Sequence, residues 1–207
     1  MATLSRITDS RIIAIIRGLS PVHVLDVAQA LYDGGIRVLE ITMNSDEPLE
    51  AIRKVTERFG DQMVVGAGTV LDTKMATAAV AAGAKFVLSP IVEREVIRLT
   101  KDLGAVSIPG AYTPTEIYTA YKWGADLIKV FPATSPGYIR EMAGPLPQIP
   151  LLPTGGITPL NIRDYRDAGA VGFGVGSALV NTKQPITGQS LETITEKAQQ
   201  FVAAIAD

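Results

Sequence analysis

The chain has 207 residues, enough for one large domain or two small ones, and 47% of them are hydrophobic, so a sizeable core is available. Its formal net charge is −2 and no basic stripe runs along it, which argues against nucleic acid as a partner. There is no cysteine and only one histidine, His23, so disulfides, thiolate metal sites, cysteine nucleophiles and histidine-based triads all lose their main residue.

The first apolar run, 12–16 (IIAII), has five residues. That is too short for a signal-peptide core or a membrane span, so a cytoplasmic protein with no membrane partner is expected. Ser20-Pro21 then reads as a helix start, with serine capping and proline at the first helical position. The next run is 38–42 (VLEIT), and Asp46 starts a second helix. Run 64–70 (VVGAGTV) is followed by a helix from Asp72. Runs 86–90 (FVLSP) and 105–109 (AVSIP) follow, and Thr113-Pro114 opens another helix. The remaining runs are 127–132 (LIKVFP), 151–154 (LLPT), before a helix from Thr158-Pro159, and 171–175 (VGFGV). The last helix is predicted over 189–206, with Leu191, Ile194, Ala198, Phe201 and Ile205 at helical spacing.

Each run has strand length and β-forming composition. A Gly-containing turn precedes most of them, as in "GGI" (34–36), "AGA" (82–84), "LGA" (103–105), "WGA" (123–125) and "AGA" (168–170). The turns recur roughly every 20 to 26 residues, an internal period, and glycine just past a helix is an expected cap. Strand–helix alternation implies a parallel sheet. Eight near-equal units in just over 200 residues predict one (β/α)8 TIM barrel domain spanning 1–207. A doubly wound open sheet is the alternative.

Side chains alternate across a strand. Leu127, Lys129 and Phe131 share one face of their run, and Ile128 and Val130 suit the helix-covered outside. By the same alternation Val38, Glu40 and Thr42 face inward, opposite Leu39 and Ile41. In the third run Ala67 and Thr69 lie opposite Gly66 and Gly68. Barrel interiors are normally layers of apolar side chains, so an inward lysine and an inward glutamate stand out. One reading is a structural ion pair that plugs the barrel. The other is chemical. An apolar cavity disfavours ammonium, and the neutral amine attacks a ketone to form a Schiff base. The iminium withdraws electrons, and the carboxylate of Glu40 shuttles the proton that lets a carbon–carbon bond break.

"PTGGIT" (153–158) ends the seventh run, and "GFGVGSALV" (172–180) carries the eighth and a turn. Loops after the last two strands of such a barrel commonly bind phosphate through backbone N–H groups. Gly155, Gly156, Gly176 and Ser177 are candidates for that cradle; alternatively the glycines serve only tight turns. Lys85, Lys122 and the acidic residues of the last helix read as solvated, and His23 as a surface or core-edge residue.

"VLEITMNS", "VVGAGTV", "FVLSP", "IPGAYTPTE", "LIKVFPA", "LPTGGI" and "GVGSALV" together resemble, in order and over nearly the whole chain, the class I bacterial aldolases of 2-keto-3-deoxy-6-phosphogluconate (KDPG), 4-hydroxy-2-oxoglutarate and the 6-phosphogalactonate analogue. The resemblance implies that Lys129 forms the Schiff base and Glu40 is the acid–base residue. It implies that Thr69 and Pro90 line a pyruvyl pocket, with Phe131 beside the lysine. Thr154, Gly155, Gly156, Gly176 and Ser177 would form the phosphate end. Many relatives of the gluconate type carry arginine where this chain has Asn44. Here Arg17 ends the first run in "AIIRG", as in the galactonate type and in some gluconate-type enzymes; a guanidinium there suits a substrate carboxylate, and the alternative is a surface arginine at a strand end. The implied reaction splits KDPG into pyruvate and glyceraldehyde 3-phosphate, with 4-hydroxy-2-oxoglutarate as a further substrate. No metal or other cofactor is expected. The implied partner is a phosphorylated keto acid, and the implied assembly is a homotrimer. The galactonate-derived substrate is one alternative. A phosphosugar isomerase or epimerase, or a non-catalytic phosphate binder, would be alternatives of another class.

Overall fold

The computed structural model describes residues 2–206. Eight parallel strands alternate with helices: β1 (Ile12–Ile16), β2 (Val38–Thr42), β3 (Val64–Gly68), β4 (Phe86–Ser89), β5 (Val106–Ala111), β6 (Ile128–Val130), β7 (Leu151–Pro153) and β8 (Phe173–Val175). The sheet runs β7-β6-β5-β4-β3-β2-β1-β8. A bridge between Thr154 and Gly174 joins its two ends. This is a single-domain (β/α)8 barrel, as the periodicity predicts; the first two strands match their predicted bounds and the bounds of the others shift by at most two residues.

Between the strands lie α2 (Val24–Asp33), α3 (Pro48–Phe59), α4 (Thr73–Ala81), α5 (Arg94–Asp102), α6 (Pro114–Lys122), α7 (Pro136–Ala143) and α8 (Ile162–Asp167); α9 (Gly188–Ile205) closes the order. The caps at Asp72 and Thr113 form as expected. Asp72 accepts from the Met75 N–H, and Thr113 and Glu116 make a reciprocal capping box. Three helix starts differ. The Ser20 carbonyl accepts from the His23 N–H in a turn, so α2 begins only at Val24. Glu47, not Asp46, precedes α3, with Pro48 in the first turn. Asn161 precedes α8, and its Oδ1 is already occupied by the Thr158 N–H.

A helix that the sequence reading did not include, α1 (Thr3–Ser10), precedes β1. It plugs the barrel's lower end. Ile7, 1% exposed, packs in an interior cluster with Ile13, Val38, Val64 and Phe86. Leu88, Ile108, Leu127 and Leu152 complete that cluster. The outward strand residues, such as Leu39, Ile41, Ile128 and Val130, pack instead in the larger layer under the helices. Glu40 is wholly buried and Lys129 is 5% exposed, so both interrupt an otherwise apolar interior. Among the described residues no helix is long and apolar enough to cross a membrane.

Truncating the plug should be costly. Ile7→Ala is expected to lower unfolding free energy by about 2–4 kcal/mol, the usual cost of emptying a core site. Urea unfolding measures it, and a loss below about 1 kcal/mol would show α1 to be peripheral.

Candidate active site

A cavity of about 910 Å³ opens at the strands' C-terminal end. Lys129 lies at its inner end, at the centre of β6, paired in register with Gly110 of β5 and Leu152 of β7. The Phe131 ring stands at the mouth, 47% exposed, with its centroid 5.0 Å from the Lys129 Nζ. Pro90, just past β4, forms part of the same wall.

Glu40 does not line the open cavity; it is sealed beneath it in β2, in register with Ile15 and Gly66. Its neighbour on β3, Gly68, has no alternative: a Cβ there would overlap the Glu40 carboxyl. Neither Glu40 oxygen has a hydrogen-bond partner, so the plugging ion pair left open by the sequence is not closed by direct contact. Burial pushes the Glu40 carboxyl above the usual carboxylate range, against the opposing pull of Lys129 and Arg17. Burial likewise pushes the Lys129 ammonium below the ordinary lysine range; Glu40 resists this and Arg17 adds to it. Desolvation therefore leads at both groups and favours a neutral acid beside a neutral amine.

Arg17 follows β1 at the rim. Its Nη1 donates to Asn44 Oδ1 at 3.2 Å and to Thr69 Oγ1 at 3.3 Å. Asn44 thus does not replace the guanidinium; it holds it. Thr69 would share the outward face of Ala67 if the alternation of β3 continued. Instead its φ of 58° turns the chain into the left-handed region and brings the residue to the cavity. A β-branched residue seldom adopts that conformation, which costs about 1–3 kcal/mol and is typically kept where a site requires it.

Thr154 ends β7 with its hydroxyl buried, unpartnered and on the cavity wall. Gly155 and Gly156 follow with φ of 97° and 69°, conformations glycine adopts without strain. Asn161 fixes this loop by donating to the Gly156 carbonyl and accepting from Thr158. After β8, Gly176 opens a helical turn closed by the Leu179 and Val180 N–H groups. Among the described residues, the N–H groups of Gly155, Gly156, Ser177 and Ala178 donate to no protein acceptor. They form a donor-rich rim suited to an anion.

The fold therefore gathers ten of the eleven predicted site residues around one cavity and places the eleventh, Glu40, directly under it. Sequence reasoning missed Ile15, Thr158 and the 181–183 segment on the cavity wall. Only the closeness of that segment to the "GVGS" motif pointed to it.

A sequence model described as KDPG and KHG aldolase matches residues 4–196. The chain belongs to that family. The 2-dehydro-3-deoxy-6-phosphogalactonate aldolase of Escherichia coli K12 is 36% identical, over 95% of each chain. A solved structure described as native KDPGal shares 36% identity and superposes with a TM-score of 0.87 over 93% of each chain. The KDPG aldolase of Legionella pneumophila, solved with pyruvate captured as a covalent carbinolamine, shares 29% identity and a TM-score of 0.85, over 95% of this chain and 96% of that one. The chain is thus an aldolase.

The contact between Gly68 and Glu40 can be tested in this aldolase. Gly68→Ala should push the carboxyl aside at a stability cost of about 1–3 kcal/mol. Turnover should fall further than stability suggests, on the order of 10²-fold, because a misplaced reacting group is that costly. Thermal melts beside steady-state kinetics separate the two, and unchanged turnover would detach Glu40 from the chemistry.

Proposed function

We propose that the protein is a Schiff-base aldolase that cleaves 2-keto-3-deoxy-6-phosphogluconate to pyruvate and glyceraldehyde 3-phosphate. One observation carries this reading: a buried lysine, disfavoured as ammonium, lies at the inner end of an open cavity beside an unpaired buried carboxyl. A relative described with pyruvate held as a carbinolamine supports it.

The environment suggests the order of proton movements. The neutral Lys129 amine adds to the C2 ketone and gives a carbinolamine. Glu40, favoured as the acid, supplies the proton with which water leaves, so an iminium and a carboxylate form together. The fixed iminium charge then stabilises the carboxylate that desolvation had disfavoured. Glu40 takes the proton from the C4 hydroxyl, the C3–C4 bond breaks, and its electrons enter the enamine as glyceraldehyde 3-phosphate departs. Glu40 returns the proton to C3; water then hydrolyses the pyruvyl iminium to pyruvate and free amine, and the proton released restores the Glu40 acid. Arg17 holds the substrate carboxylate with the guanidinium N–H groups left free by Asn44 and Thr69. The rim of Gly155, Gly156, Gly176 and Ser177 takes the phosphate, and Thr154 is placed to meet a substrate hydroxyl. No metal or other cofactor enters these steps, and the expected setting is a cytoplasmic homotrimer.

A second substrate, the C4 epimer 2-keto-3-deoxy-6-phosphogalactonate, is favoured by the Arg17–Asn44 contact and by the 36% identity to the aldolase of that name. Kinetics on both C4 epimers, each with and without phosphate, decides between them. Activity is expected on both epimers, with a higher kcat/KM for phosphorylated forms, because remote binding energy orients the reacting carbons. Equal efficiency without phosphate would leave the glycines as turn formers.

Pyruvate with borohydride should label the peptide that holds Lys129. Because its pKa is lowered, labelling should persist at neutral pH, where an ordinary lysine is almost wholly protonated, and should fall as pH drops through the folded-state pKa. Labelling of Lys122 or Lys85 in place of Lys129 would overturn the mechanism. Absence of any adduct, with cleavage intact, would remove the Schiff-base step.

A further inference from the structure

One cation on the cavity wall has no part in the reading above. Lys183 lines the cavity from the loop that leaves the turn after β8. This loop is anchored. Leu179 and Val180 are buried at its start. The Thr182 hydroxyl donates to the Arg17 carbonyl at 2.6 Å, and the Lys183 N–H donates to Asn181 Oδ1 at 3.2 Å. Lys183 has no ion-pair partner among the described residues, and no aspartate or glutamate lines the cavity.

Strand order separates the charges. β1 lies between β8 and β2. Arg17 leans towards β2 and β3, where Asn44 and Thr69 hold it. Lys183 belongs to the β8 side, six residues after Ser177 on the same cavity wall, with the Gly155–Gly156 loop of β7 next in the barrel. A ligand with a carboxylate at one end and a phosphate at the other matches that division. The glycine rim offers backbone N–H groups and the Ser177 hydroxyl, which carry only partial charge, whereas a phosphomonoester carries about −1.5 to −2 at pH 7. A lysine on a tethered loop supplies a mobile point charge of the kind that binds phosphate.

We propose that Lys183 is a substrate-binding residue whose ammonium holds the phosphate of the sugar acid and so sets the preference for phosphorylated substrate. This rests on the phosphosugar reading given above. Its contribution is electrostatic and solvent-facing, so it weakens with salt over a Debye length of about 8 Å at physiological ionic strength.

The test compares wild type, Lys183→Met and Lys183→Arg on a phosphorylated 2-keto-3-deoxy acid and its dephosphorylated counterpart, at low and high salt, with inorganic phosphate as inhibitor. Lys183→Met should lower kcat/KM for the phosphorylated acid about tenfold more than for the other, mainly through KM, and weaken phosphate inhibition similarly. Lys183→Arg should restore most of the loss, and high salt should shrink the difference. If wild type prefers phosphate and Lys183→Met keeps that preference, this assignment falls and the backbone rim suffices. If wild type shows no preference, the phosphosugar reading fails and takes the assignment with it.

Discussion

Placing an acid and an amine inside a hydrocarbon-lined barrel is the constraint on which the rest of this structure depends. Neither group can remain charged there without opposition from desolvation. Water would relieve both, but the lower end is stoppered by Ile7 and the interior cluster, and the cavity opens above Lys129. The apolar layers below are therefore as much a part of the site as the residues that meet the ligand. They push the Lys129 ammonium below its usual range and the Glu40 carboxyl above its own.

The rim answers a different demand. Gly68 of β3 leaves the volume that the Glu40 side chain fills, and glycines after β7 leave backbone N–H groups bare. Arg17 is fixed by two neutral partners, Asn44 and Thr69, so its charge is oriented without being neutralised. The result is a cavity whose inner end disfavours charge through burial and whose mouth carries the Arg17 and Lys183 side chains. That division suits an anionic ligand.

Most of this was legible in the sequence because two-residue alternation acts locally. The pattern of Leu127, Lys129 and Phe131 against Ile128 and Val130 fixed the inward lysine before any tertiary information, and Glu40 followed by the same rule. What was not legible depends on contacts distant in the chain or on backbone departures from the pattern. Helix α1 is short and polar apart from a few residues, and only the barrel's open lower end gives Ile7 something to fill. Thr69 leaves the alternation through one left-handed residue, which no periodicity encodes; its place at the pocket came from family resemblance alone. The Asn44–Arg17 contact joins residues 27 positions apart. Two of the three displaced helix starts share a cause: Ser20 and Thr158 carry capping chemistry, but their backbone groups are engaged in turns before the helix begins.

The bridge between Thr154 and Gly174 gives the barrel a seam. Among the described residues β7 and β8 share no ladder; that bridge, with the Val171 N–H donating to the Leu151 carbonyl, joins them below the two glycine loops. An anion that accepts N–H groups from Gly155 on one side and Ser177 on the other would work as a clasp across the seam. Occupancy of the cavity and closure of the cylinder would then be thermodynamically linked, and the empty protein would be softest at the place its ligand fastens.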